Sequence, residues 1–127
     1  MAKCDEGYFC KVCGADVEDV TDSDLYLRYV IGLVDPELLH AELECHIRCN
    51  PTLAQFIVDD RFPPVEVTDD FGKANLDPGY VQERERLVTA GWNRLREVIE
   101  MEEVSILAFP LPEVIARREE EFSGGQQ

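Results

Sequence analysis

The chain has 127 residues, with 12 basic against 27 acidic side chains for a formal net charge of −15, and 45% of its residues are hydrophobic. That length gives one domain with room for a small appendage, and the apolar content is enough for a core. So acidic a chain repels a phosphate backbone, because affinity for nucleic acid rests on cations that displace phosphate counterions; direct nucleic-acid binding is disfavoured.

No run of about 18 apolar residues occurs, which argues against a membrane-spanning helix. The first residues lack the basic-then-apolar pattern of a secretory signal. Five cysteines in such a chain favour metal ligation in a reducing compartment over disulfides. The expected location is cytoplasmic.

Taken in order, residues 1–6 and 123–127 read as poorly ordered ends. Tyr8 to Val17 reads as a tight hairpin, followed by an acidic loop from Asp16 to Asp24. From Leu25 to Leu33 apolar residues fall at 25, 27, 29, 31 and 33, the period of a strand. Beyond Asp35-Pro36, Leu39, Ala41, Leu43, Cys45 and Ile47 share one face, with His40, Glu42, Glu44, His46 and Arg48 on the other. This predicts a β-hairpin. A helix from Pro36 is the competing reading, since Leu39, Leu43 and Ile47 also recur every fourth residue.

Asn50-Pro51 signals a helix start, with Asn as N-cap and Pro at the first helical position. The short helix it opens carries Leu53, Phe56 and Ile57 on one face and stops before Pro63-Pro64. Val65 to Thr68 fits a short strand, and Asp69 to Asp77 a loop. Asp77-Pro78 repeats the helix-start signal for a long helix to about Met101, with Val88, Trp92, Leu95 and Ile99 as its buried stripe. Ser105 to Phe109 reads as a buried strand, and Glu113 to Phe122 as a charged, peripheral helix.

The most informative residues are Cys10-Lys11-Val12-Cys13-Gly14, answered by His46-Ile47-Arg48-Cys49. Two pairs of soft ligands, each with a two-residue spacer, suit the tetrahedral geometry of a closed structural zinc site. Gly14 fits a knuckle that turns sharply after its second cysteine, since glycine accepts positive φ freely. Cys45 is the alternative to His46 as fourth ligand. The two-residue spacer to Cys49 favours His46; Cys45 would need a spacer of three and reads as a small buried hydrophobe. Cys4 reads as a free thiol and His40 as a surface residue of the hairpin.

Knuckle, hairpin, then a second ligand pair at the start of a helix: residues 8–60 resemble treble-clef zinc fingers in order, spacing and punctuation. The resemblance implies one Zn2+ held by Cys10, Cys13, His46 and Cys49, with hairpin and helix packed around it. It points to no single family.

Catalytic readings are weaker. His40-Ala41-Glu42 with Cys45 and Cys49 has the residue types of a zinc deaminase but the wrong spacing. Carboxylates near Cys10 and Cys13 raise a thiol's pKa and so argue against a redox pair. Asp69, Asp70 and Asp77 lack the spacing of a calcium loop. No Ser-His-Asp set, phosphate-cradling glycine loop or dinucleotide fingerprint is present, so no catalytic or cofactor-binding residue is assigned and an enzyme is not expected.

The expected fold is a small α+β domain. Residues 1–62 form a treble-clef-like zinc-binding module, residues 63–122 a helical α+β extension packed on it with a long helix and a short strand, and residues 123–127 a tail. The expected function is a non-catalytic, zinc-stabilised, acidic interaction or adaptor module for a protein partner with a basic surface. The alternatives are a protein of the nucleic-acid machinery or a nucleic-acid mimic, and a zinc-dependent enzyme.

Overall fold

Four α-helices carry the described part of the chain: α1 (Asp24–Val30), α2 (Pro51–Ala54), α3 (Pro78–Val98) and α4 (Pro112–Gly125), joined by short 3-10 turns. The computed structural model describes residues 9–17, 19–39, 41–101 and 105–125, with side chains as far as Glu119. Cys4, His40 and the two chain ends therefore lie outside the described residues wholly or in part.

The first correction to the sequence reading is α1. Residues 24–30 are helix where the alternation predicts a strand. The reason lies at its two ends. Ser23 is the N-cap: its Oγ accepts from the Tyr26 N–H at 3.1 Å and donates to Glu44 Oε1 at 2.8 Å. Gly32, at φ 92°, closes the other end. There the Gly32 N–H bonds the Tyr29 carbonyl and the Leu33 N–H bonds the Arg28 carbonyl, the pair of bonds of a Schellman cap. Between the caps Leu25, Tyr26, Leu27, Tyr29 and Val30 are all buried. Such a run has no polar face to set a period, so strand and helix patterns coincide in it.

Helix α3 starts as its sequence predicts, with Asp77 Oδ2 accepting from the Tyr80 N–H at 3.0 Å and Pro78 in the first turn. Its buried face is Val88, Gly91, Trp92, Leu95 and Val98. Ile99, expected in that stripe, is the C-cap and is 49% exposed; Val98 replaces it because the helix ends there. Helix α1 crosses α3 at Gly91, where a β-carbon would run into Ile31 Cγ2 and lie 3.3 Å from Leu27 Cδ1. The missing side chain sets how closely the two helices approach.

Among the described residues strand pairing is confined to three isolated bridges, Phe9–Asp16, Ser23–His46 and Asp59–Phe62. The described residues of the predicted second strand are irregular apart from 3-10 turns at Pro36–Leu38 and Ile47–Cys49. Its faces also differ from expectation: Leu43 is 65% exposed while Glu44 is buried. The expected strand at 105–109 is a 3-10 turn, Ile106–Ala108, started by Ser105 Oγ accepting from the Leu107 N–H. Ile106 and Leu107 are exposed there. Helix α4 is longer than predicted and not wholly peripheral. Val114 is buried, the Leu111 N–H bonds the Val30 carbonyl, and Arg118 Nη2 donates to the Val34 carbonyl at 2.8 Å.

One buried cluster runs from Val20 through α1, α2 and α3 to Val114. A smaller one, Cys10, Val17 and Cys45 with Cys49 packed against it, lies under the knuckle. No helix among the described residues is long and apolar enough to cross a membrane.

Candidate metal centre

The first ligand pair sits on a tight turn. The Phe9–Asp16 bridge closes its base, the Cys10 N–H bonds the Ala15 carbonyl at 2.8 Å, and the Gly14 N–H bonds the Cys10 carbonyl at 2.9 Å. Gly14 takes φ 80° with open space where a β-carbon would go. Its requirement is thus the backbone angle alone.

The turn is held to the second pair by backbone. The Lys11 N–H bonds the Glu44 carbonyl at 3.0 Å, and the Asp24 N–H bonds the Cys45 carbonyl at 2.8 Å. Buried Glu44 reaches Ser23 in the same region, so the cap of α1 and the approach to His46 share one hydrogen bond. His46 then precedes the 3-10 turn that carries Cys49.

The structure brings Cys10, Cys13, His46 and Cys49 together, each offering an atom within 4.8 Å of the others, and this group could hold a metal ion. His46 Nδ1 lies 3.3 Å from Cys13 Sγ and 3.8 Å from Cys49 Sγ. With metal bonds of about 2.0–2.3 Å, the edges of a tetrahedral site measure about 3.5–3.8 Å, so these separations suit one ion. The far side of the ring is also engaged: His46 Nε2 donates to the Asp16 carbonyl oxygen at 2.7 Å, and Asp22 Oδ2 lies 3.8 Å away. A carbonyl can only accept, so Nε2 carries the proton and Nδ1 is left to face the sulfurs.

Two backbone N–H groups, of Val12 and His46, point at Cys10 Sγ, both at 3.4 Å. Burial pushes the Cys10 thiol up, but N–H groups of Cys13, His46 and Val12 outweigh it and bring it down to about 5. Burial pushes Cys49 up to about 12, helped by the sulfurs of Cys10 and Cys13. Burial works against a charged His46, yet the Asp16 carbonyl, Cys10 and Cys13 raise it to about 9. The causes differ from group to group: backbone N–H groups lower Cys10, burial raises Cys49, and the Asp16 carbonyl leads in raising His46. Three sulfurs and one imidazole nitrogen are also the donor types that select a soft or borderline cation over magnesium or calcium, so the residues present fit a zinc-type ion.

Cys45 packs beside Cys10 but is not one of the four donors that converge. Its Sγ is directed at the His46 carbonyl at 3.3 Å, and burial, then Asp24 and Cys10, push it up to about 12. The other acidic candidates do not converge. Asp69 accepts from the Phe71 N–H and Asp77 caps α3; among the described residues the cysteine–histidine group stands alone as a metal candidate. Of the deaminase-like set, His40 lies outside the described residues, Cys49 is in the metal group and Cys45 is not. The sequence reading missed the support given by the Asp16 carbonyl, Asp22, and the buried Ser23–Glu44 pair. A backbone acceptor leaves no side-chain signature, and Glu44 sat on what looked like a solvent face.

No protein family, curated protein or solved structure gives a match to this chain.

Proposed function

We propose that this chain is a non-catalytic adaptor whose first half is organised by one structural zinc ion and whose acidic surface receives a basic protein partner. The observation that carries the zinc assignment is the convergence of three sulfurs and His46 Nδ1. Four protein donors complete a tetrahedral shell and leave no open position for substrate or activated water, the mark of a structural site. The order of the four donors along the chain supports a treble-clef-like reading, although α1 occupies part of the stretch where the hairpin was expected.

Bound zinc supplies a redox-inert crosslink between residues 10–13 and 46–49. The protein's part is to present the donors: the Asp16 carbonyl fixes the ring of His46, and N–H groups stabilise the Cys10 thiolate. Structural zinc in small fingers contributes roughly 10–16 kcal/mol of apparent binding free energy, against a typical domain stability of about 5–15 kcal/mol. Loss of the ion would therefore unfold at least the knuckle and its contact with α1. Such thiols persist in a reducing compartment.

The adaptor reading rests on the charge of −15. Native cross-linking followed by mass spectrometry tests it: partners should cross-link through surfaces rich in lysine and arginine, and their capture should weaken with salt. Recovery of the chain free of partners, or bound through acidic surfaces, refutes the reading.

A further inference from the structure

Beside the Asp59–Phe62 turn lies a cleft of about 470 Å³. Its floor is apolar, with Ile57 and Phe62 buried and Val65 packed against the core. Its rim carries Asp60 and Glu66, neither of which has a hydrogen bond or ion pair among the described residues. The one lysine of the lining, Lys73, is already neutralised by Glu85 at 2.7 Å. The cleft therefore presents two unpaired carboxylates over an apolar surface, with the Arg48 guanidinium over the Phe62 ring and bonded to the Pro63 carbonyl as the cation beside them.

The segment that borders it, residues 64–68, makes no hydrogen bond among the described residues, through either backbone or side chains. Burial alternates along it: Val65 and Val67 are half-buried, Glu66 and Thr68 exposed. That is the two-residue period of a strand lying on a core. Pro63-Pro64 at its head cannot continue a helix, and Gly72 packs against the Val67 carbonyl at its tail. Unpaired N–H and C=O groups on such a segment form a template for another strand.

Charge selects the occupant. A second copy of this chain pairing here would bring its own Glu66 and Asp60 against these, and like charges across a strand pair are destabilising. Nucleic acid is repelled by the same carboxylates. An extended segment with lysine or arginine at alternate positions satisfies the backbone, the apolar floor and the rim together. We propose that residues 64–68 and the adjoining cleft receive an extended basic segment of a partner protein, added as a strand. This proposal rests on the adaptor reading and names the site through which it would act.

The test uses the full-length, zinc-loaded protein and a labelled peptide alternating lysine with valine and threonine. Fluorescence anisotropy should show saturable binding that weakens with salt. Amide signals of Val65, Glu66, Val67 and Thr68 should shift and gain exchange protection. The peptide with glutamate for lysine should not bind, nor should one N-methylated at alternate amides. Asp60→Lys with Glu66→Lys should weaken binding about tenfold or more, because attraction between the rim and the basic segment becomes repulsion, with zinc content unchanged. Absence of saturable binding overturns the proposal, as do indifference to both charge reversals, signals that move elsewhere, or self-association through this segment. If cross-linking finds basic partners whose contacts map away from residues 57–68, the cleft proposal fails and the adaptor reading survives. If no basic partner is found, the reading itself fails.

Discussion

His46 Nε2 and the carbonyl oxygen of Asp16 are 2.7 Å apart, and this single bond decides which nitrogen faces the three sulfurs. The donor belongs to the second ligand pair and the acceptor to the exit of the first knuckle, so folding the knuckle also orients the ring. In the zinc-bound protein His46 should coordinate through Nδ1, with Nε2 protonated. Long-range 1H–15N correlation spectra of the zinc-loaded protein report the tautomer directly. A protonated Nδ1 with metal on Nε2 would mean that the ring is turned over.

Cys45 and His46 are neighbours with opposite fates, and paired substitutions separate them. Elemental analysis of protein purified without added metal should give one zinc per chain. His46→Ala, Cys10→Ser, Cys13→Ser and Cys49→Ser should each lose tight binding, because each removes one of four donors. Cys45→Ala should keep the zinc and cost about 1 kcal/mol or so in packing, since it leaves a small cavity under the knuckle. Zinc lost from Cys45→Ala but retained by His46→Ala reverses the ligand assignment.

Ser23 ties the cap of α1 to buried Glu44. Ser23→Ala removes an N-cap, typically worth about 1 kcal/mol, and a donor to a buried carboxylate, worth about 1–3 kcal/mol more. We expect a loss of about 2–4 kcal/mol in denaturant unfolding, with Ser23→Thr retaining most of the stability. A loss below about 0.5 kcal/mol, the scale of an ordinary surface change, rejects the shared role.

These same residues show what the sequence made legible. The convergence of Cys10, Cys13, His46 and Cys49 could be read because spacing limits which side chains can meet, and α3 could be read because Asp77-Pro78 and a polar opposite face mark it. Helix α1 was misread because Leu25 to Ile31 is apolar almost throughout, so a period-two pattern fits it as well as a helical one. The deciding information was local, Ser23 before the run and Gly32 after it, both cap residues that a strand does not need. The strand expected at 105–109 failed for a different reason. A buried strand needs its apolar residues covered, and Ile106 and Leu107 are exposed.

Gly91 gives a test of the α1–α3 crossing in which propensity and packing disagree. Gly91→Ala gains about 1 kcal/mol of helix propensity, so on an exposed face it would stabilise. Here the new methyl meets Ile31 Cγ2, a branch that is fully buried and stiff at χ1. Overpacking typically costs about 1–3 kcal/mol, so the melting temperature should fall. Ile31→Leu, which removes the offending branch, should recover part of the loss in the double variant. A rise in melting temperature for Gly91→Ala alone would show that the two helices are not in close contact.

Trp92 is 4% exposed and packs edge-on to Phe62, with ring centroids 5.7 Å apart. The guanidinium groups of Arg61 and Arg96 lie 5.1 and 4.9 Å from its ring, closing the core where α3 meets solvent. Truncating a buried tryptophan typically costs about 3–5 kcal/mol, a large share of a small domain's stability. Trp92→Ala should therefore be among the most damaging substitutions outside the metal centre, while Trp92→Phe should keep the contact with Phe62 and lose less. As the chain has a single tryptophan, its emission reads this site without interference. Native emission should be blue-shifted and shielded from acrylamide. A red-shifted, readily quenched emission that turns blue when partner is added would instead make this α3 face an interface, since binding surfaces are rich in tryptophan and arginine.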